Sequence, residues 1–195
     1  MLRSVQRSAA VAAALGLVLL SACSGPEKPK PAPLAANPAT VPVRVVWSNP
    51  KALGEEPLDL KVDGSNVLIA TKAGRLLSLN AATGAENWRV DVGVGMSTGM
   101  GGDASRLAVV TQGNALLVLE QGKEIWRTKI QAMVLTAPLV AGGRVFVLAG
   151  DRAISAFDAA SGQRLWHQQR TGEPLILGQP GLLMAVGDTL VAVSY

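Results

Sequence analysis

The chain has 195 residues, 49% of them hydrophobic and 16% charged, which supports a packed core and excludes a long disordered polyampholyte. The formal net charge is +4, and two of the positive charges, Arg3 and Arg7, lie in a segment expected to be removed. What remains is too mild and too dispersed for a nucleic-acid surface. A single cysteine, Cys23, excludes an intrachain disulfide.

Residues 1–22 read as a lipoprotein signal peptide. Arg3 and Arg7 form a positive n-region, and Ala9–Leu20 is an apolar run of 12 residues, too short to span a bilayer. Leu20-Ser21-Ala22-Cys23 then resembles the bacterial lipobox, in which small residues precede a cysteine whose thiol takes a diacylglyceryl group. That resemblance makes Cys23 the expected lipidation site, and Ser24 in the next position implies sorting to the outer membrane. Stable anchoring needs two or more acyl chains, at about 0.8 kcal/mol per buried methylene. Residues 23–42 hold six of the eleven prolines and cannot bury a core. They read as an extended tether reaching at most about 60 Å, at ~3.1 Å per residue.

From residue 43 to 195 helical periodicity is absent, and short β-branched and leucine runs are broken by turn residues every 8–12 positions. The tryptophans Trp47, Trp88, Trp126 and Trp166 recur 41, 38 and 40 residues apart. Trp88 and Trp166 close the sentence Thr/Ser-Gly-x-x-x-Trp, and Trp126 closes a shortened form, Gly122-Lys123-Glu124-Ile125-Trp126. A period near 40 with four short strands per period predicts propeller blades. Repeat one gives strands at 58–62, 67–71, 76–80 and 87–92. Repeat two gives 97–101, 107–111, 115–119 and 124–130, and repeat three 138–141, 145–149, 153–158 and 163–170. Repeat four gives 181–186 and 189–194, and Val43–Ser48, with Trp47, reads as a lone outermost strand. The expected fold is all-β: about three and a half four-stranded antiparallel blades of an expected ring of eight, the fourth cut short. One large ring at a fixed place in each blade suits the wedge between blades, burying about 150–250 Å² each.

The residues that follow the tryptophans exclude the Trp-Asp pair of WD40 blades, and the repeat resembles that of pyrroloquinoline-quinone (PQQ) enzymes. In that family the tryptophan lies on the turn of the adjacent repeat. The resemblance raises a quinoprotein dehydrogenase as an alternative, but those enzymes carry adjacent cysteines and calcium ligands that this sequence does not supply. No cofactor and no metal are expected. Asp158 and Glu120 precede the repeat turn and are expected to cap backbone amides; Asp63, Asp103 and Asp188 also read as turn residues. His167, the single histidine, cannot build a metal cluster or a catalytic triad within these residues and is expected to face solvent.

Signal, tether and repeats together resemble the N-terminal half of the propeller lipoproteins of the β-barrel assembly machine. The resemblance implies a non-catalytic scaffold on the periplasmic face of the outer membrane. Its partners would be the periplasmic POTRA domains of the central barrel subunit and incoming unfolded outer-membrane proteins; another envelope complex is the remaining alternative. In that family a Pro-x-Leu-x-Leu-Arg-like stretch makes the contact. Here Leu175 and Leu177 match its leucines, Gly178 stands in place of arginine, and Gln179 follows; Gln168, Gln169 and Arg170 are weaker candidates.

Overall fold

The computed structural model describes residues 44–50, 56–170 and 181–193. Fourteen strands are present among them, and every sheet is antiparallel. The first blade is β1 (Pro57–Asp63), β2 (Asn66–Thr71), β3 (Arg75–Asn80) and β4 (Glu86–Asp91). The second is β5 (Gly101–Gly102), β6 (Arg106–Val110), β7 (Ala115–Glu120) and β8 (Lys123–Lys129). The third is β9 (Leu139–Ala141), β10 (Arg144–Leu148), β11 (Ala153–Asp158) and β12 (Arg164–Gln169). Strands β13 (Leu182–Val186) and β14 (Thr189–Val193) pair as a two-stranded sheet. Within each complete blade the strands lie side by side in chain order, so every connection inside a blade is a hairpin.

The cores sit between blades. Leu68, Ala70 and Leu76 of the first blade meet Leu107, Val109, Leu117 and Leu119 of the second. Alternate residues of that second blade, Ala108, Val110, Leu116 and Val118, meet Val145, Val147 and Phe157 of the third. Phe146, Leu148 and Ala156 then meet Leu183, with Leu190 against them. A middle strand therefore buries both faces, which is why Leu107–Val110 is an unbroken apolar run and not an alternating one. Polar straps add to this at the repeat spacing. The Asp59 carboxylate accepts from Met100 N at 2.9 Å, that of Asp63 from Ala104 N at 2.9 Å, and the Lys61 ammonium donates to Gly102 O.

The tryptophans lock one blade to the next. An ideal Cβ on Gly84 would lie 2.5 Å from the Trp47 ring, one on Gly122 2.8 Å from Trp88, and one on Gly162 2.7 Å from Trp126. These glycines also hold φ of +71°, +78° and +74°, so the turn and the ring both require the missing side chain. The indoles of Trp47 and Trp126 donate to Ala81 O (2.7 Å) and Ala159 O (3.0 Å), the same place in two five-residue turns. Trp88 has no such bond among the described residues. It meets the two-residue turn Gln121-Gly122, which is too short to carry that carbonyl. Trp166 covers no turn among the described residues; it is 39% exposed and its ring lies 6.0 Å from Phe146.

Three sequence expectations are corrected. Of the outermost strand expected at Val43–Ser48, the described residues 44–48 form no strand, because they find no ladder partner among the described residues; the Trp47 ring and the Asn49 amide, which donates to Gly84 O at 3.1 Å, hold them instead. The strand expected at 97–101 shrinks to Gly101–Gly102, with one isolated bridge from Met96 to Thr111. Its amide at Met100 is taken by Asp59 and is lost to the ladder. Glu120 caps no amide among the described residues: its turn has two residues where that after Asp158 has five, and its carboxylate pairs with Arg106 at 2.7 Å.

A matched pair of substitutions measures the docking. Gly142 has positive φ (+55°) and open space around its missing Cβ, whereas Gly162 faces Trp126. Gly162→Ala is expected to cost about 1–3 kcal/mol more than Gly142→Ala in urea denaturation, the excess reporting the clash with the ring. Equal costs would mean that the ring yields freely.

Candidate partner surface

The three inter-blade connections, residues 92–100, 130–138 and 170–181, lead from an outermost strand to the next innermost one. The first two run over the β2–β3 and β6–β7 turns and their counterpart in the third blade. Met96 N donates to Lys72 O, Gln112 N to Gly95 O, and Gly150 N to Met133 O. The connections and those turns thus form one end of the blades. Each buries small or apolar residues beneath, Met96 and Thr98 in the first and Val134 and Thr136 in the second. Each also leaves a large apolar side chain outside, Val94 at 50% exposure and Met133 at 49%. The third connection is three residues longer than the other two. Its far end is pinned where Gly181 N donates to the buried Thr136 hydroxyl at 2.9 Å.

Leu175, Leu177, Gly178 and Gln179 fall in this third connection and lie outside the described residues, as does Cys23. Gln168, Gln169 and Arg170, at its start, are exposed. Gln169 lies near the turn of its own blade, its amide 3.4 Å from Asp151 O. His167 faces solvent as expected and shares a hydrogen bond of 2.9 Å with the Ser155 hydroxyl. Among the described residues no three His, Cys, Asp or Glu side chains are grouped to hold a metal.

The carboxylates of the turns act on backbone. Asp158 Oδ1 accepts from Ala160 N, Ser161 N and the Ser161 hydroxyl, and the Ser161 amide holds the carboxyl below its ordinary range. Asn80 does the same for Ala82 N and Thr83 N in the first blade. Asp103 accepts from Ser105 and Arg106 amides, and the Ser105 hydroxyl lowers its titration most.

A recurrent irregularity places charge on the outermost strands. Each pairing of the third and fourth strands skips one residue, Asn87, Ile125 or Leu165, immediately before the tryptophan. In a regular strand residues three apart point to opposite faces; the bulge brings them to the same face. Glu86 and Arg89 therefore pair at 2.6 Å, and Glu124 and Arg127 at 2.5 Å, each guanidinium lowering its carboxyl partner's titration by direct hydrogen bonds. The Glu-x-Trp-Arg spelling was visible in the sequence, but its meaning depends on a bulge that spacing alone does not reveal.

Four-stranded blades joined by a Gly-x-x-x-Trp lock, with no grouped metal ligands among the described residues, define the class: part of a PQQ-type repeat β-propeller. A family model described as outer membrane protein assembly factor BamB matches residues 43–98 and 72–194, and the chain belongs to that family. It is 28% identical over 192 residues to outer membrane protein assembly factor BamB of Burkholderia pseudomallei, covering 96% of this chain and 50% of that protein. It is 32% identical to the protein of the same name in Bordetella pertussis, covering 83% and 44%. The chain thus spans about half the length of the curated relatives it matches. In fold it is similar to the crystal structure of BamB from Moraxella catarrhalis (TM-score 0.56, 23% identity, 72% of this chain and 44% of that one). A europium-containing methanol dehydrogenase shares the fold at TM-score 0.51 and 20% identity, over 69% of this chain and 28% of that one.

The turn cap carries a pH test. Because Asp158 titrates lower in the folded chain than unfolded, its contribution is complete above the unfolded value, about 3.9, and is lost as pH falls through the folded value. Asp158→Ala is expected to lower the melting temperature at neutral pH, with the gap to the parent closing as pH falls through the folded value. Asp158→Asn, which keeps the acceptor as Asn80 does, is expected to stay near the parent at neutral pH. A gap for Asp158→Ala that is independent of pH would exclude the charged cap.

Proposed function

We propose that this chain is a non-catalytic, lipid-anchored scaffold in the assembly and insertion of β-barrel proteins into the outer membrane. On this reading Cys23 carries the lipid, residues 23–42 form the tether, and the blades face the periplasm. The connection between the third and fourth blades makes the contact with a partner. Leu175 and Leu177 would enter an apolar groove on the POTRA domains of the central barrel subunit, with Gly178 and Gln179 at the rim. Unfolded outer-membrane proteins are the second class of partner this reading admits.

One observation carries the placement: the third connection is longer than the other two, between a described outer strand and an anchored Gly181. Residues beyond those needed to cross a blade are free for another task, and connections on rigid scaffolds are where binding residues concentrate. The neighbouring connections support an apolar contact, since Val94 and Met133 extend exposed apolar surface along the same end of the blades. The names of the relatives, all assembly factors, support the pathway. Without the family's usual arginine, the contact would rest on leucine burial more than on charge, at about 1.5–3 kcal/mol for each side chain fully buried.

The test is a double substitution, Leu175→Ser with Leu177→Ser, in the full-length protein. Loss of co-purification with the barrel subunit is expected, with an unchanged circular dichroism spectrum. Undiminished co-purification of a folded variant would overturn the assignment of this segment.

A further inference from the structure

The junction between the second and third blades departs from the pattern of the first two repeats at three places that lie together. On the strand before the tryptophan strand, Leu77 and Leu117 are fully buried at the positions paired with Arg89 and Arg127. The third blade holds Ser155 there, paired with His167. Two residues before the tryptophan, Glu86 and Glu124 give way to Arg164, and one residue after it, arginine gives way to His167. The ion pair that roofs this position in the first two blades is therefore missing in the third, along with the leucine beneath it.

The consequence is an open cleft of about 400 Å³ between β8 and the β11–β12 pair. Its floor includes the buried Phe157, and its walls include Lys129, Ser155, Arg164 and His167. The same bulge that lets Glu86 meet Arg89 puts Arg164 and His167 on one face, so two basic side chains stand where an acid–base pair stands elsewhere. Lys129 faces them from the neighbouring blade, at the place where the first blade has Asp91. Neither Lys129 nor Arg164 has an ion pair among the described residues. The one carboxylate on the wall, Asp151, already accepts from Ala153 N at 3.1 Å and lies 3.5 Å from the Gln169 amide.

We propose that this cleft is a binding site for a carboxylate. A guanidinium presents two parallel donors that match a carboxylate's two oxygens, and an ammonium adds a second charge without demanding geometry. The imidazole and the Ser155 hydroxyl, joined by their hydrogen bond of 2.9 Å, keep one neutral donor between them for a ligand, and the Phe157 ring makes part of the floor apolar. A pocket of a few hundred cubic ångströms takes a ligand of two or three residues or a small organic acid. The carboxylate source is either an acidic side chain of a polypeptide or a free dicarboxylic acid. None of the residues lining this cleft belongs to the connection assigned above to the barrel subunit, and its test does not depend on that assignment.

The experiment titrates the isotope-labelled full chain with three probes and follows amide resonances at Ser155, Arg164 and His167. The probes are the capped tripeptide acetyl-Glu-Ala-Glu-amide, its Gln-Ala-Gln counterpart, and glutarate. Saturable shifts with the Glu peptide and none with the Gln peptide are expected. Shifts with glutarate as well assign the site to small acids; their absence assigns it to polypeptide. The triple variant Ser155→Leu, Arg164→Glu, His167→Arg restores what the first two blades carry at the same places, and at least a tenfold loss of affinity is expected from it. Arg164→Gln, a surface change that leaves the packing alone, is expected to weaken binding in the same direction. Equal binding of the Gln peptide, unchanged affinity in a folded Arg164→Gln chain, or no saturable shift with either acid overturns the proposal.

Discussion

An indole ring lying on a glycine turn of the next blade is the contact on which this architecture depends. A blade is a small twisted sheet with two apolar faces, and neither can be buried within the blade itself. The sheets diverge toward their outer strands, so a filler is needed that is largest where the wedge is widest. Trp47, Trp88 and Trp126 supply it, and Gly84, Gly122 and Gly162 make the approach possible by offering no side chain. The same glycines close the turns with positive φ. One residue thus serves the local fold and the packing between repeats, which explains why glycine and tryptophan recur as a unit.

With the blades locked in this way, function is left to what the lock does not use. The inter-blade connections and the outer-strand faces carry the variation between repeats: a longer third connection, exposed Val94 and Met133, and the change from Glu–Arg to Arg164 and His167. A repeat protein exposes such departures cleanly, because each blade provides the control for its neighbours. The serine at position 155 would be unremarked in isolation; against Leu77 and Leu117 it marks an opening.

The blades were legible from periodicity because turn chemistry and strand composition agree in the first and third repeats and strand composition carries the second. Asp158-Ala159-Ala160-Ser161-Gly162 states its own turn, with a side-chain acceptor, a hydroxyl and a positive-φ residue in order. The misreadings arose where tertiary contacts compete with the local ladder. Asp59, forty-one residues away, takes the Met100 amide and shortens β5. Glu120 resembles Asp158 in charge but precedes a two-residue turn, and is drawn to Arg106 across the sheet. Residues 44–48 have the composition of a strand, but a strand exists only with a partner, and the ring of Trp47 anchors them without one. The tripled bulge before each tryptophan had no spelling of its own, because Asn87, Ile125 and Leu165 share no chemistry.

A double-mutant cycle between Trp126 and Gly162, followed by urea denaturation of the chain, tests the lock most directly. If the ring and the glycine act through their contact, Trp126→Ala removes the cause of the clash at Gly162→Ala. The two costs should then fall short of additivity by about 1–3 kcal/mol. Additive costs, within about 0.5 kcal/mol, would contradict the account and place the stabilisation of the blades elsewhere.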